Sequence, residues 1–551
     1  MRPLDWIVLA GSLTFIVAYG LWRGRGSNTT NAYLLAGKTM PWYAMALSIM
    51  ATQASAITFI STTGQAYADG MRFVQFYFGL PLAMILISAI AVPIFHGSGV
   101  YTAYEYLERR FDARVRALVS VIFLIQRGLA VGIALYAPAV VLTVILGWPD
   151  QLTTFLMGVL VVSYTVYGGI KAVTWTDFQQ MIVMMAGLVA ALATAFWLMP
   201  PGVSPLDALN IAGAAGRLNP VVWSFNPDDR YNVWSGLIGG MFLALAYFGC
   251  DQSQVQRYLT GRSIAQSRIS LLFNAVAKIP MQFLILLTGA VVFVFYIYER
   301  PPILFEPADL KRVSARADFA GVEQRYNEAF ERRRAAASEV ARNAASHEPL
   351  RAAQKDFDAA RREAAALTGN KAYNDTNYIF LTFVTRYLPA GIVGLVLAAI
   401  FAAAMSTISA EINSLATVSV IDVYQRHFRK DASDRHYLRV SQIATAFWGL
   451  YAVVTAQYGK NLGSLIEAVN MLGSLFYGGL LGVFALAFLF PRVTAAGAFY
   501  GVLLGEAAIF AAWYTTKISF LWYNVIGPLV VISAALAITW LRPARSATPS
   551  R

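Results

Sequence analysis

The chain has 551 residues, of which 58% are hydrophobic and only 13% are charged. Soluble globular proteins have about 45–50% apolar and about 25% charged residues, so this composition excludes a single water-soluble core. The formal net charge of +13 is better explained by basic loops on one membrane face than by a nucleic-acid ligand. We therefore predict a lipid bilayer, and no nucleic acid, as a partner. The single cysteine, Cys250, excludes an intrachain disulfide and a cysteine-based metal site.

Apolar stretches long enough to cross a bilayer recur along almost the whole chain. Because an open backbone cannot be satisfied in lipid, these stretches are predicted to be helices, and the fold class is an all-α integral membrane protein. Because a helix needs about 20 apolar residues to cross a bilayer, division of the chain at turn and charge signals predicts about 13 spans. They cover residues 4–22, 41–66, 73–95, 115–146, 152–168, 171–199, 233–258, 267–298, 377–424, 436–458, 462–486, 495–516 and 522–541.

Basic residues are concentrated in alternate loops of this arrangement, as at Arg109, Arg110, Arg114 and Arg116. The intervening short loops contain few of them. The positive-inside rule then places the N-terminus outside the cytoplasm and the C-terminus in the cytoplasm. The sequence therefore predicts a multi-pass protein of the plasma (inner) membrane.

After the first span, the helices divide into two blocks of five, residues 41–199 and 233–486. An odd number of crossings inverts the second block relative to the first, which is the inverted-repeat architecture of many secondary transporters. Three further parts complete the predicted organisation. They are the first span with a cytoplasmic loop (1–40), an extracytoplasmic loop (200–232), and two C-terminal spans with a short cytoplasmic tail (487–551).

Residues 300–376, inside the second block, differ from the rest of the chain in being rich in Ala, Arg and Glu with nearly balanced charges. This composition favours solvated helices, arranged as a hairpin on the outer side of the membrane. The segment is interpreted as a tolerated surface insertion. The alternative is a docking site for a partner or a lid over the access path.

Small and hydroxyl-bearing residues are unusually dense in two predicted helices, at residues 48–61 and 402–410. Small residues are common where membrane helices pack closely. Adjacent hydroxyls beside free backbone carbonyls are also the oxygen ligands that a hard cation prefers. Because the two stretches occupy corresponding structural roles in the two blocks, together they favour a sodium site.

Three motifs resemble the signature of the sodium/solute symporter family. They are residues 402–407 (AAAMST) with 421–424 (IDVY), residues 167–177 (YGGIKAVTWTD) with Gln179, and residues 247–259 (YFGCDQSQVQRYL). The resemblance extends in order over almost the whole chain, except for residues 300–376. It implies a leucine-transporter-like fold with two inverted five-helix repeats whose first helices are broken. It also implies a sodium-coupled symporter, not an enzyme, that imports a small polar organic solute.

By this resemblance, one Na+ ion is coordinated by the backbone carbonyls of Ala51, Ala54 and Ala403 and by the hydroxyls of Ser406 and Thr407. Unwound carbonyls at a helix break are expected to coordinate sodium, so the resemblance agrees with the chemistry of these residues.

Some members of the family bind a second sodium through an aspartate, which corresponds to Asp177, and through hydroxyls one turn beyond the first site. Those hydroxyl positions are Ser409 and Ala410 in this chain, so the alanine removes one ligand. The alternative interpretation of Asp177 is that it caps the start of a helix near Lys171.

Two cations lie deep in apolar runs, at Arg127 and Lys278. Arg127 is about 16 Å along its helix from Arg116 at 1.5 Å per residue, which is farther than a side chain can snorkel. We expect Arg127 to face a polar cavity or a buried acid, where its guanidinium would suit a solute carboxylate. Sugar-carrying members of the family also have a lysine near the position of Lys278. Glu411 is expected to pair with Arg257 or Arg262.

The other candidate solute-binding residues are Gln53, Ser55, Thr58, Phe73, Gln75 and Tyr247. Ser55, Thr58 and Arg127 resemble carriers of sialic acid and other organic anions, which slightly favours a carboxylate-bearing, sialic-acid-like or monocarboxylate-like solute. A sodium-coupled carrier of sugar or another neutral solute is the alternative. A proton-coupled carrier, or a channel or sensor on the same scaffold, is a second alternative. The Ser406-Thr407 hydroxyls argue against protons, because a proton carrier needs a titrating group.

Overall fold

The computed structural model describes residues 1–342, 346–370, 373–458 and 464–541. These residues form helices, turns and loops, and contain no β-strand. The predicted C-terminal tail, from residue 542 onward, lies outside the described residues. The α-helices are α1 Pro3–Gly24, α2 Thr30–Leu35, α3 Trp42–Gln53, α4 Thr63–Asp69, α5 Leu80–Leu86, α6 Val92–Ser98, α7 Ala103–Arg110, α8 Ala113–Leu146, α9 Asp150–Trp197, α10 Pro205–Ala214, α11 Gly240–Gly249, α12 Gln252–Leu259, α13 Ile264–Tyr298, α14 Pro307–Ser314, α15 Phe319–Ala341, α16 Glu348–Ala366, α17 Thr376–Tyr387, α18 Ile392–Val418, α19 Asp434–Ala456, α20 Leu465–Leu489, α21 Ala495–Thr515 and α22 Tyr523–Leu541.

Nine helices in the described part of the chain are long and apolar enough to cross a membrane. The all-α membrane fold is therefore confirmed. Two of the nine are much longer than one crossing, Thr58–Ser98 with 41 residues and Gln151–Trp197 with 47 residues. At 1.5 Å per residue, a straight helix of either length would extend for about 60–70 Å, against a hydrocarbon thickness of about 30 Å. Each therefore has room for more than one crossing, and the number of crossings stays a prediction.

A sharp turn divides α9 at Gly169, between the predicted spans 152–168 and 171–199. Gly169 has φ 56° and ψ −166°, a conformation that residues with a side chain rarely adopt. A Cβ atom at this position would also lie 2.6 Å from the backbone oxygen of Tyr33. Glycine is therefore required here for both the turn and the close approach of helix α2.

The single span predicted over residues 377–424 is wrong. The chain forms two helices there, α17 and α18, separated by an extended residue, Leu388, with φ −73° and ψ 147°. Leu388 precedes Pro389, and the proline ring disfavours the helical conformation in the residue before it. The side chain of Asp5 in α1 then accepts hydrogen bonds from the amides of Gly391 and Gly394 at 2.7 and 3.3 Å, which caps the start of α18. Hydropathy continues across this break and does not reveal it.

Helix α18 lies at the centre of the bundle, where it packs against α1, α8 and α9. Its residues from Val396 to Val418 are all buried. Polar side chains within it, such as Ser406 and Glu411, are therefore shielded from lipid and water and need partners inside the protein. The functional site is built around these partners.

An ion-pair cluster holds the helical segment Ser419–Phe428, which continues α18, against α7 and α8. Arg116 contacts Asp422 and Glu108, each at 2.7 Å, and Arg426 contacts Glu108 at 2.6 Å. Thr102 donates a hydrogen bond to Asp422 at 2.9 Å. Burial raises the pKa of Glu108, but its hydrogen bonds from Arg426 and Arg116 outweigh burial and hold the pKa below its ordinary value. The aspartate of the 421–424 motif therefore fastens α18 to α7 and α8.

Residues 300–376, described apart from 343–345 and 371–372, contain α14, α15 and α16. Helices α15 and α16 pack against each other around a core of their own. Arg333 attaches this pair to the membrane helices, because it is fully buried and donates to the backbone oxygen of Tyr296 at 2.5 Å. Its guanidinium also donates to Gln354 at 3.3 Å and lies 3.6 Å from the ring centre of Phe357.

We predict that Arg333→Ala destabilises the α15–α16 pair by about 1–3 kcal/mol, since it leaves a buried carbonyl without its donor. The matched control is Arg332→Ala, because the side chain of Arg332 is 56% exposed and makes only a 3.8 Å ion pair. The control should change stability by less than about 0.5 kcal/mol. Thermal unfolding and limited proteolysis of the purified protein would measure both variants. Equal effects of the two substitutions would contradict the anchoring role of Arg333.

Candidate functional site

The first helix of the first block is broken at the predicted sodium ligands. Helix α3 ends at Gln53, and Ala54 has φ −85° and ψ 74°, outside the helical region. The amide of Thr58 then donates to the oxygen of Ser55 at 2.9 Å, so the Ala54 carbonyl loses its usual helical donor. Carbonyls freed in this way at the end of a helix are available to a cation.

Helix α18 brings the predicted hydroxyl ligands to this break. The Thr407 hydroxyl donates to the backbone oxygen of Thr52 in the last turn of α3 at 3.1 Å. Ala51, Ala54, Ala403 and Ser406 are fully buried, and Thr407 is 7% exposed. The structure thus places the end of α3 directly against the Ser406-Thr407 pair. Freed carbonyls and hydroxyls in a dry site fit a hard monovalent cation such as Na+.

Asp177 lies well inside α9, so it does not cap a helix start as the alternative interpretation proposed. Its carboxylate accepts hydrogen bonds from Ser48 and Ser406, each at 2.6 Å, and lies 3.5 Å from Arg257. Ser409 donates to the backbone oxygen of Ser406 at 3.1 Å. Both candidates for the second sodium therefore contact Ser406, and the carboxylate has a cationic neighbour.

The first helix of the second block is also broken, between α11 and α12. Cys250 ends α11 with φ −128° and ψ −24°, and Asp251 is the N-cap of α12. The Asp251 carboxylate accepts from the amide and the hydroxyl of Ser253 at 2.9 and 2.7 Å. Such side-chain acceptors satisfy amides that a new helix leaves free. Both blocks therefore begin with a broken helix, as predicted.

Arg127 of α8 joins the second break to α18 and α20 through a buried network. Its guanidinium donates to Glu411 of α18 at 2.8 Å, to Asp251, and to the hydroxyl of Tyr477 at 2.7 Å. Arg127, Glu411 and Asp251 are 3%, 3% and 0% exposed. The expectation that Arg127 meets a buried acid is confirmed. The expected pairing of Glu411 with Arg257 or Arg262 is wrong, because Arg257 lies beside Asp177.

A cavity of about 90 Å³ lies between the two breaks. Its wall includes four of the predicted solute-binding residues from the first block and α11, together with Arg127, Glu411 and the sodium-site residue Thr407. The lining residues are Thr52, Gln53, Ser55, Ile57, Thr58, Phe76, Tyr77, Gln126, Arg127, Ala134, Leu243, Tyr247, Thr407, Glu411, Ile466, Val469, Asn470 and Tyr477. The structure therefore brings together a small cavity, several predicted solute-binding side chains and the predicted sodium ligands.

Three predicted solute-binding residues do not line this cavity. Phe73 stacks on Phe76, with ring centres 5.4 Å apart, and lies behind the wall. The amide of Gln75 donates to the backbone oxygens of Arg72 and Tyr231 at 3.1 and 2.8 Å, so it holds the loop structure. Lys278 is fully buried, and its Nζ lies 5.6 Å from the ring centre of Tyr77, a lining residue.

Asp251, Glu411 and Tyr477 belong to the site, but the sequence reasoning did not propose them as site residues. Glu411 follows Thr407 by one helical turn, so the two side chains share a face of α18. Asp251 directly precedes the polar run Gln252-Ser253-Gln254, which is a helix-start signal that could have located the second break. Nothing in the local sequence around Tyr477 distinguishes it from a core residue.

Broken first helices in two blocks, with a cavity and buried hydroxyl groups between them, are the architecture of a secondary transporter. The family model described as "Sodium:solute symporter family" matches residues 33–310 and 360–505. The chain belongs to this family. It is therefore a multi-pass membrane transporter with Na+ as the coupling ion.

Several characterised transporters are similar to this chain. Sodium-coupled monocarboxylate transporter 1 of Homo sapiens is 30% identical over 508 residues, which cover 91% of this chain and 72% of that protein. The sodium/sialic acid symporter SiaT of Proteus mirabilis is 26% identical and covers 98% of this chain and 96% of the relative. The sodium/glucose cotransporter of Vibrio parahaemolyticus is 26% identical and covers 96% of this chain and 89% of the relative. These relatives are transporters, not enzymes.

A solved structure of a Na+-coupled sialic acid symporter, in a substrate-bound outward-open state, has the same fold. It superimposes with a TM-score of 0.78 at 25% identity and covers 98% of both chains. The predicted leucine-transporter-like fold is confirmed by this likeness. The inverted repeats therefore provide the scaffold on which the two helix breaks face each other.

Proposed function

We propose that this protein imports a small organic carboxylate across the plasma membrane together with sodium, by alternating access. The N-terminus lies outside the cytoplasm and the C-terminus inside it. The observation that supports this proposal most directly is the cavity between the two broken helices, whose wall contains Thr407 of the predicted sodium site. The monocarboxylate and sialic acid transporters among the relatives support a carboxylate as the solute.

Sodium and solute favour each other's binding because the predicted sodium ligand Thr407 also lines the solute cavity. Sodium at Ala51, Ala54, Ala403, Ser406 and Thr407 would tie the end of α3 to α18 and complete the cavity for the solute. By linkage, the solute must raise the affinity for sodium by the same factor that sodium raises the affinity for the solute. Low internal sodium then releases both.

Lys278, which lies behind the cavity wall beside Tyr77, is the residue proposed to attract the solute carboxylate. The Arg127 guanidinium is already engaged by Asp251, Glu411 and Tyr477. Lys278 instead is fully buried, and its Nζ has no hydrogen-bond partner within the described residues. An ammonium in a dry interior is costly unless a counter-charge lies beside it. A carboxylate beside Tyr77 would supply one.

The proposal is tested by thermal stability of the detergent-purified protein against pairs of a carboxylate and its neutral amide, in sodium and in potassium. The panel includes lactate, pyruvate, sialic acid, nicotinate, proline and glucose. We expect a carboxylate to stabilise the protein in sodium only, and its amide to have no effect. In Lys278→Met, affinity for the carboxylate should fall about tenfold or more, because the buried partner of its charge is lost.

The control for Lys278→Met is the sodium response without solute, which should equal that of the unmodified protein. A best ligand that is a sugar, with unchanged affinity in Lys278→Met, would contradict a carboxylate solute. A ligand that stabilises the protein equally in potassium would contradict sodium coupling and favour a proton-coupled carrier.

A further inference from the structure

Four side-chain oxygens in the wall of the central cavity are buried and have no hydrogen-bond partner among the residues that the structure describes. They are Thr52 Oγ1, Gln53 Oε1, Gln126 Oε1 and Glu411 Oε2. Thr52, Gln126 and Glu411 are only 2%, 1% and 3% exposed. Buried polar atoms are nearly always paired, so several orphaned oxygens in one wall indicate a missing partner.

The charge around these oxygens is also unbalanced. Arg127 is shared between two carboxylates, Asp251 and Glu411. Asp251 has further donors from Ser253, whereas Glu411 has only its Oε1 atom engaged, by Arg127. With both acids ionised, Arg127 compensates only one of the two negative charges, and the other is centred on Glu411. An ionised carboxylate at such a buried position is costly unless a cation lies beside it.

We propose that Thr52, Gln53, Gln126 and Glu411 form a second sodium site in the central cavity. All four ligand atoms are oxygens, one of them in a carboxylate, which is the chemistry that hard cations select. The ligands come from the end of α3, from α8 and from α18. This site is separate from the one at Ala51, Ala54, Ala403, Ser406 and Thr407, and from Asp177.

The proposed site also explains how an anionic solute enters a cavity that contains Glu411. Without a cation, the uncompensated carboxylate repels a solute carboxylate in the same low-dielectric space. Sodium bound to Glu411 removes this repulsion. This inference therefore rests on the proposed symport and deepens it, since it assigns two sodium ions to each solute carboxylate. Transport would then move one net positive charge inward per cycle.

The test is the sodium-to-solute ratio, measured from reversal potentials in proteoliposomes with the best carboxylate from the thermal panel. Sodium binding without solute is titrated in parallel by tryptophan fluorescence. We expect a ratio of two for the unmodified protein and of one for Glu411→Gln. Thr52→Val should weaken one of the two sodium-binding steps about tenfold, because it replaces only an unpartnered hydroxyl by a methyl group of similar size.

Glu506→Gln is the matched control for Glu411→Gln. Glu506 of α21 is a glutamate whose carboxylate oxygens are also buried without partners, but it does not line the cavity. The control should keep the ratio of two. If Glu411→Gln does not fold, Thr52→Val decides the question alone.

Two results would overturn the proposed site. One is that both Glu411→Gln and Thr52→Val keep the sodium-to-solute ratio and the sodium-binding titration of the unmodified protein. The other is found in Glu411→Gln, if its sodium-to-solute ratio is unchanged but the pH dependence of its reversal potential is altered. That result would assign Glu411 to proton transfer. Failure of the symport proposal itself differs from both, because the unmodified protein would then show no sodium-dependent solute binding at all.

Discussion

Replacement of Arg127 by methionine is expected to lower the free energy of unfolding by about 3–5 kcal/mol, because it leaves buried carboxylates without their shared cation. Asp251 and Glu411 lie within hydrogen-bonding distance of this guanidinium and are 0% and 3% exposed. The network also joins α8, the break between α11 and α12, and α18. Loss of Arg127 should therefore release the second helix break from α18 and abolish solute transport. Thermal unfolding of the purified protein would measure the change in stability.

A second substitution distinguishes the charge from the packing of Arg127. The double variant Arg127→Met/Glu411→Gln removes one uncompensated carboxylate and should recover part of the lost stability. Residues in one network are not additive, so a double-mutant cycle isolates their interaction. A single variant that loses less than about 1 kcal/mol, with no recovery in the double variant, would show that the network does not stabilise the fold.

Replacement of Ser406 by alanine is expected to raise the sodium concentration for half-maximal stabilisation by tenfold or more, about 1.4 kcal/mol. The substitution removes one of the two predicted hydroxyl ligands of the first sodium site. The same hydroxyl donates to Asp177 at 2.6 Å, so the loss of that hydrogen bond must be separated from the loss of a ligand. Sodium titration of thermal stability, in constant ionic strength with choline, gives the measurement.

Ser48→Ala provides that separation. Ser48 donates to the other oxygen of Asp177, also at 2.6 Å, but it is not a predicted sodium ligand. Both variants lose one donor to Asp177, and only Ser406→Ala should lose sodium affinity. If the two variants shift the sodium titration equally, the effect arises from Asp177 and the assignment of Ser406 as a ligand fails.

Helix α15 and the larger part of α16 lie outside the pattern of the family, because the family model does not match residues 311–359. The α15–α16 pair is nevertheless attached firmly to the membrane helices. Arg361 donates to both oxygens of Asp375 at 3.1 and 2.9 Å, and the Asp375 carboxylate accepts from the amide of Phe305 at 2.7 Å. An insertion with its own core and these anchors adds a rigid body at the end of α13 rather than a loose loop.

Much of the fold could be predicted from the sequence. Apolar length and the exclusion of unpaired backbone from lipid require helices, and these rules apply to each segment by itself. The prediction that Arg127 is buried within the membrane followed from two lengths. These are the rise per residue of a helix and the distance over which an arginine side chain can extend to the membrane surface. The runs of hydroxyl and small residues at 48–61 and 402–410 indicated where the sodium ligands would lie. Each of these conclusions depends on properties of a short stretch of chain.

Only the tertiary structure showed which residues meet. Glu411 lies 284 positions from Arg127 in the sequence, and Asp251 lies 124 positions away, so no local pattern connects the three. The same holds for Lys278 and Tyr77, and for the unpartnered oxygens of Gln126 and Glu411 in one cavity wall. A charge identifies a residue that needs a partner, but the packing of remote helices decides which partner it finds. The sequence by itself thus determined the class of transporter and its sodium-ligand candidates, and the packing around α18 determined the charge balance of the site.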